Sequence, residues 1–140
     1  MKNNTKDVEL KNYFASQGDI EFALLFGSAA SGRVSAISDI DVGVYFRGRK
    51  DKLEIGERQI EITCKIMQLY HINRVDVVVL NLANPFLCFQ VVRYGRLLYA
   101  KDEKGFYKFK ADSLGRYQDI KPMYDLYDAV TEENLRKGYG

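Results

Sequence analysis

The chain has 140 residues and a mass of 16.1 kDa, the size of one domain. Hydrophobic residues make up 46% and charged residues 29%, which excludes a disordered chain, a collagen-like fibre and a disulfide scaffold. The net charge is +2, too near balance for the electrostatic field alone to hold a nucleic acid.

In chain order, Asn4 or Thr5 caps a first predicted helix that runs to about Gln17 and stops at Gly18. Val8, Lys11 and Phe14 or Ala15 fall on one helical face, which makes it only moderately amphipathic. Glu21 to Phe26 reads as a buried strand, because FALLF is a continuous apolar run. Gly27 and Ser28 break it, and a polar stretch leads to Ser38. Asp39 to Phe46 is a second strand, rich in Ile, Val and Tyr. RGRKDK, Arg47 to Lys52, is a charged turn. Leu53, Gly56, Ile60, Cys64, Met67 and Tyr70 recur at helical spacing, so Lys52 to Tyr70 is a helix. His71, the sole histidine, falls where it can cap that helix. Arg74 to Leu80 is a third strand, Pro85 opens a helix to Gly95, and Arg96 to Tyr99 is a short fourth strand. Helical spacing resumes after Lys101, and Pro122 is expected to kink or break it.

Strands alternating with helices predict an α/β (α+β) class: a single mixed β-sheet flanked by helices. Residues 1–100 read as the main unit, and 101–140 as a helical extension packed on it or used for partner contact. Five of the ten tyrosines lie in that extension, and Tyr117 to Tyr127 reads as helix packing or as a surface for a partner or a second copy. Cys64 and Cys88 form no CxxC and fit no zinc spacing; both sit in apolar segments and read as buried, reduced thiols of a reducing compartment. The first ten residues contain no apolar run of the signal-peptide kind. The longest uncharged run, Val77 to Val92, is broken by Asn81, Asn84, Pro85 and Gln90, so no membrane span and a cytoplasmic location are expected.

Chemistry concentrates between Leu25 and Tyr45. Asp39 and Asp41 stand two apart in an apolar strand, so their carboxylates share one face. Burying two like charges unpaired is costly, and a divalent cation between them removes the cost. Gly27 and Ser28 end the preceding strand with a small residue and a hydroxyl, the features of a phosphate-holding turn. Asp76 is the only acidic residue between Glu61 and Lys101, and it interrupts a valine-rich strand. If that strand neighbours the first pair, Asp76 supplies a third carboxylate. Three carboxylates beside such a turn define a two-metal phosphoryl- or nucleotidyl-transfer site, with Asp76 placed to take the proton of the attacking hydroxyl. Gly27-x₄-Gly32 followed by Arg33 echoes a P-loop, but Val34 cannot ligate metal, so that reading fails.

The pattern GS-x₁₀-D-x-D, formed by Gly27, Ser28, Asp39 and Asp41 with Phe26, Ala30, Gly32 and Ser38 around it, resembles the signature of the DNA polymerase β-like nucleotidyltransferases. The short chain, VDVVVLN and PFLCFQVVRYGRLLY are similar to the minimal nucleotidyltransferase (MNT) group, with its MntA-type antitoxins encoded beside HEPN-domain toxins. The resemblance covers about Glu21 to Tyr99. It implies the polymerase β-like fold and two Mg²⁺ ions at Asp39, Asp41 and Asp76. It implies ATP as donor, with Gly27, Ser28, Gly32, Arg33 and Ser38 on the nucleotide. It also implies AMP transfer to a tyrosine of a HEPN ribonuclease toxin, with neither a membrane nor direct nucleic-acid contact, and homo-oligomerisation left open. Where family members often carry Arg before the glycine, this chain has Ser31, with Arg33 after Gly32. Two other readings share the site: an antitoxin that neutralises by binding alone, and a transferase acting on a small molecule or nucleic-acid end.

Overall fold

A computed structural model describes residues 4–27 and 40–136, apart from the side chains of Asn4 and Leu135. Among these lie four helices and four strands: α1 (Asn4–Ser16), β1 (Ile20–Phe26), β2 (Ile40–Phe46), α2 (Lys52–Tyr70), β3 (Val75–Val79), α3 (Pro85–Tyr94), β4 (Arg96–Ala100) and α4 (Glu103–Arg136). The strands form one mixed sheet in the order β3-β2-β1-β4. β1 runs antiparallel to β2 and β4, and β2 runs parallel to β3. The α/β class with one mixed sheet is therefore as expected.

Strand alternation divides the core in two. Ile40, Val42 and Val44 of β2 pack with Leu10 and Phe14 of α1 and with Ile55, Ile62 and Ile66 of α2. On the other side Phe22, Leu24, Leu80, Cys88, Val91 and Phe106 form a second cluster under α3 and α4. Gly43 makes this second layer tight, because a Cβ there would lie 3.0 Å from Val91 Cγ1. No helix among the described residues is long and apolar enough to cross a membrane.

The buried faces of α1 and α2 coincide only in part with the residues that the spacing marks. α1 buries Leu10 and Phe14, while Val8 is exposed. α2 carries apolar residues on opposite sides: of the set marked by the spacing it buries Tyr70, together with Ile55, Ile62 and Ile66, whereas Leu53, Ile60 and Cys64 are exposed. Polar anchors accompany the isoleucine face. Arg58 grips Asp19 through two hydrogen bonds of 2.8 and 3.0 Å, and Gln59 Nε2 donates to the Val77 carbonyl at 2.6 Å. Cys64 is consequently exposed, against expectation, whereas Cys88 is buried and its thiol is pushed up by that burial. Asp51 caps α2 by accepting from Glu54 N at 2.8 Å. His71 closes it in the left-handed region at φ 55°, and Pro85 opens α3 as expected, with Asn84 found to be its cap.

The charged turn after β2 is tied inward. Arg47 pairs with Glu21 at 3.1 Å and Lys50 with Asp19 at 3.1 Å. Burial pushes the Asp19 carboxyl up, but Arg58 and Lys50 together outweigh it and hold the group below the usual carboxylate range. A depressed folded pKa contributes stability above the unfolded value and loses it as pH falls through the folded one. Asp19→Asn should thus cost about 1 kcal/mol at neutral pH after allowance for partial exposure. That deficit should begin to shrink as pH falls below roughly 4, where the unfolded carboxyl protonates, and vanish only once the pH is also below the lowered value of the native carboxyl. Urea denaturation of both proteins across pH 2–7 reads the difference.

α4 continues through Pro122, so the expected break is not present. Proline removes one backbone bond and typically costs about 3 kcal/mol inside a helix. Packing spans the gap: the Phe86 ring lies 5.9 Å from Tyr117 and 5.8 Å from Tyr124, one on each side of the proline. Upstream, the Ser113 hydroxyl is fully buried with no hydrogen-bond partner among the described residues. Ser113→Ala removes that desolvated group and should raise stability by about 1 kcal/mol, read as a shifted denaturation midpoint.

Candidate active site

The site edge of the sheet is built by the parallel pairing of β2 with β3. Register places Asp41 directly opposite Asp76, with Val42 opposite Val77 and Ile40 opposite Val75 on the flanks. The condition left open by the sequence is met: β3 neighbours β2. Asp41 also lies opposite Phe26, the last residue of β1. The side chains of Asp41 and Asp76 alternate away from the α1–α2 core, because Val42 and Val77 point into it. Asp41 is half-buried and Asp76 exposed.

Gly27 follows Phe26 with φ 66°, a conformation costing an L-residue roughly 1–2 kcal/mol. A Cβ at this position would overlap Asp41 Oδ2 and lie 3.4 Å from its Cγ. Glycine is thus required twice, by the backbone angle and by the carboxylate resting against it. Ser28, Gly32, Arg33, Ser38 and Asp39 lie outside the described residues. Of the expected site residues, the structure brings together Gly27, Asp41 and Asp76.

Electrostatics at this edge favour a cation. Neighbouring strands stand about 4.8 Å apart. Two unit charges at about 5 Å repel by roughly 1–3 kcal/mol for effective dielectrics between bulk water and ~20. Like charges directly opposite in a sheet are destabilising by themselves. Carboxylate oxygens are the donors that a hard dication such as Mg²⁺ takes. Asp41 and Asp76 fit such an ion as a pair; among the described residues no group of three or more metal-ligating side chains forms.

One set of residues at the same edge escapes sequence reading. Arg96 opens β4 opposite Leu25, one step from the Phe26–Asp41–Asp76 row. Its guanidinium donates to Asp7 at 2.9 Å, and Asp7 also accepts the Tyr70 hydroxyl at 2.6 Å. Burial, and then Asp7, push that phenol far above its usual range. The triad pins α1 and the end of α2 to the sheet beside the site. Its members are 63 and 89 positions apart from Asp7, and no local pattern announces them.

Fold and site together define a nucleotidyltransferase, and the chain belongs to the family described as polymerase beta, nucleotidyltransferase, which matches residues 8–104. It is 30% identical over 109 residues to the protein adenylyltransferase MntA of Aphanizomenon flos-aquae, covering 74% of this chain and 73% of that one. Among solved structures it is similar to a toxin–antitoxin with AMP-PNP, with a TM-score of 0.70 and 25% identity over 92% of this chain and 98% of the other. A complex of tri-AMPylated Shewanella oneidensis HEPN toxin with MNT antitoxin shares the fold, with a TM-score of 0.66 and 24% identity over 93% and 97% of the two chains.

Proposed function

We propose that this nucleotidyltransferase is an antitoxin that transfers AMP from ATP to a tyrosine of a HEPN-domain toxin and so silences it. The observation that carries the reading is the Asp41–Asp76 pair beside Gly27, in a chain similar to a protein adenylyltransferase. Support for the partner comes from the similar toxin–antitoxin with AMP-PNP.

In this reading Asp41 and Asp76, joined by Asp39, hold Mg²⁺, which would supply charge stabilisation at the α-phosphate. Gly27, with Ser28, Gly32, Arg33 and Ser38, holds the phosphates through small residues, hydroxyls and a guanidinium. Asp76 is the exposed member of the pair, which supports its taking the proton of an acceptor hydroxyl. Residues 1–100 carry this chemistry, and the helical extension from 101 serves the partner. Reduced cysteines suit a cytoplasmic setting.

The experiment is the intact mass of the HEPN protein encoded beside this chain, after incubation of the purified pair with ATP and Mg²⁺. A gain of one or more AMP units with wild type, absent with Asp41→Asn, is expected. A complex that forms without any mass gain would replace transfer by neutralisation through binding. A gain on small molecules or nucleic-acid ends alone would replace the protein acceptor.

A further inference from the structure

Beyond Tyr124, α4 leaves the body of the protein: residues 125–136 are exposed wherever their side chains are described. Twelve helical residues extend about 18 Å, and a helix that short is marginal in water without tertiary cover. Its apolar residues are ordered. Met123, Leu126, Tyr127 and Val130 stand at i, i+3, i+4 and i+7, a single stripe, and are 73, 67, 71 and 48% exposed. The stripe leads into an apolar groove of about 530 Å³, lined by Asn84, Phe86, Met123, Tyr124, Tyr127 and Asp128. Phe86 and Tyr124 line it, with their rings in mutual contact at 5.8 Å. A stripe with a preformed pocket at one end is the shape that receives an amphipathic helix with one large anchor.

Charge selects the occupant. From Met123 to the end of α4 the helix carries four acids against one base, Arg136 in its last turn. Asp128 rims the groove. Lys121, just before the stripe, is engaged by Asp125 at 2.7 Å. A second copy of this chain would set acids against acids, whereas a helix framed by lysine or arginine meets complementary charge.

We infer that the outer half of α4, with the groove beside Phe86, is the docking surface for a basic-flanked amphipathic helix of the HEPN partner. The inference rests on the reading above for the identity of that partner. It adds a contact surface on a different element from the carboxylates.

Calorimetric titration of the full chain with the HEPN protein tests it. Leu126→Glu combined with Val130→Glu should weaken binding by about tenfold or more and leave thermal unfolding unchanged, because both side chains are exposed. Asp128→Asn should weaken it a few-fold and flatten its salt dependence. Ile60→Glu, on the exposed stripe of α2, should change nothing. Equal affinity of the double variant and wild type overturns the inference, as does an effect confined to Ile60→Glu. A wild-type dimer in solution, split by the double variant, would assign the stripe to a second copy and also overturn it. If wild type modifies the toxin and the double variant binds unimpaired, this surface alone is wrong. If wild type fails to bind the toxin, the partner reading fails and takes this inference with it.

Discussion

Asp41→Asn, and separately Asp76→Asn, should each lower AMP transfer by on the order of a thousandfold, about 4 kcal/mol of transition-state stabilisation. The fold should survive both. Asp76 is exposed, and replacing it relieves a like-charge pair that opposes folding, a contribution of a few tenths to about 1 kcal/mol. A second readout separates metal binding from chemistry. Millimolar Mg²⁺ should raise the unfolding temperature of wild type by mass action, and the rise should shrink or vanish in either variant. Normal transfer by both variants would remove Asp41 and Asp76 from the chemistry. A full Mg²⁺ shift alongside lost transfer would leave the ion bound elsewhere.

Gly27→Ala should be nearly as damaging, through a different cause. The left-handed backbone alone costs an alanine roughly 1–2 kcal/mol of stability. The added methyl also collides with the Asp41 carboxylate, which must turn or shift to make room. Displacing a reacting group by about 1 Å can cost around a hundredfold in rate. Transfer should therefore drop by about that factor at saturating ATP, with the variant still folded at 20 °C. Gly18→Ala is the control, since a Cβ there meets nothing within 4 Å and its rate should match wild type. An active Gly27→Ala protein would mean that Asp41 has slack in this position.

Much of this was legible in the residues because local chemistry dictated it. The valine-rich run around Asp76 could only be a strand, and a lone carboxylate there demanded a reason. Parallel pairing with β2 supplied it. Pro85 announced the start of α3, and His71 sat where α2 had to close. What could not be read depended on long-range choice. α2 has apolar residues on two opposite faces, and only Arg58, Gln59 and Tyr70 finding distant partners decides between them. Pro122 looked like a stop from sequence, yet Phe86, 36 positions earlier, holds both flanks in line. The Arg96–Asp7–Tyr70 triad joins three elements that no periodicity relates.

The Gln59 contact with β3 has a further consequence. β3 is the outermost strand beside the carboxylates, and an outer strand with unsatisfied carbonyls is a template on which another polypeptide can grow. Gln59 already occupies the Val77 carbonyl from the α2 side, so an incoming backbone would first have to evict a 2.6 Å hydrogen bond. This edge of the sheet is thereby shielded against fibrous self-association, without covering Asp76 itself.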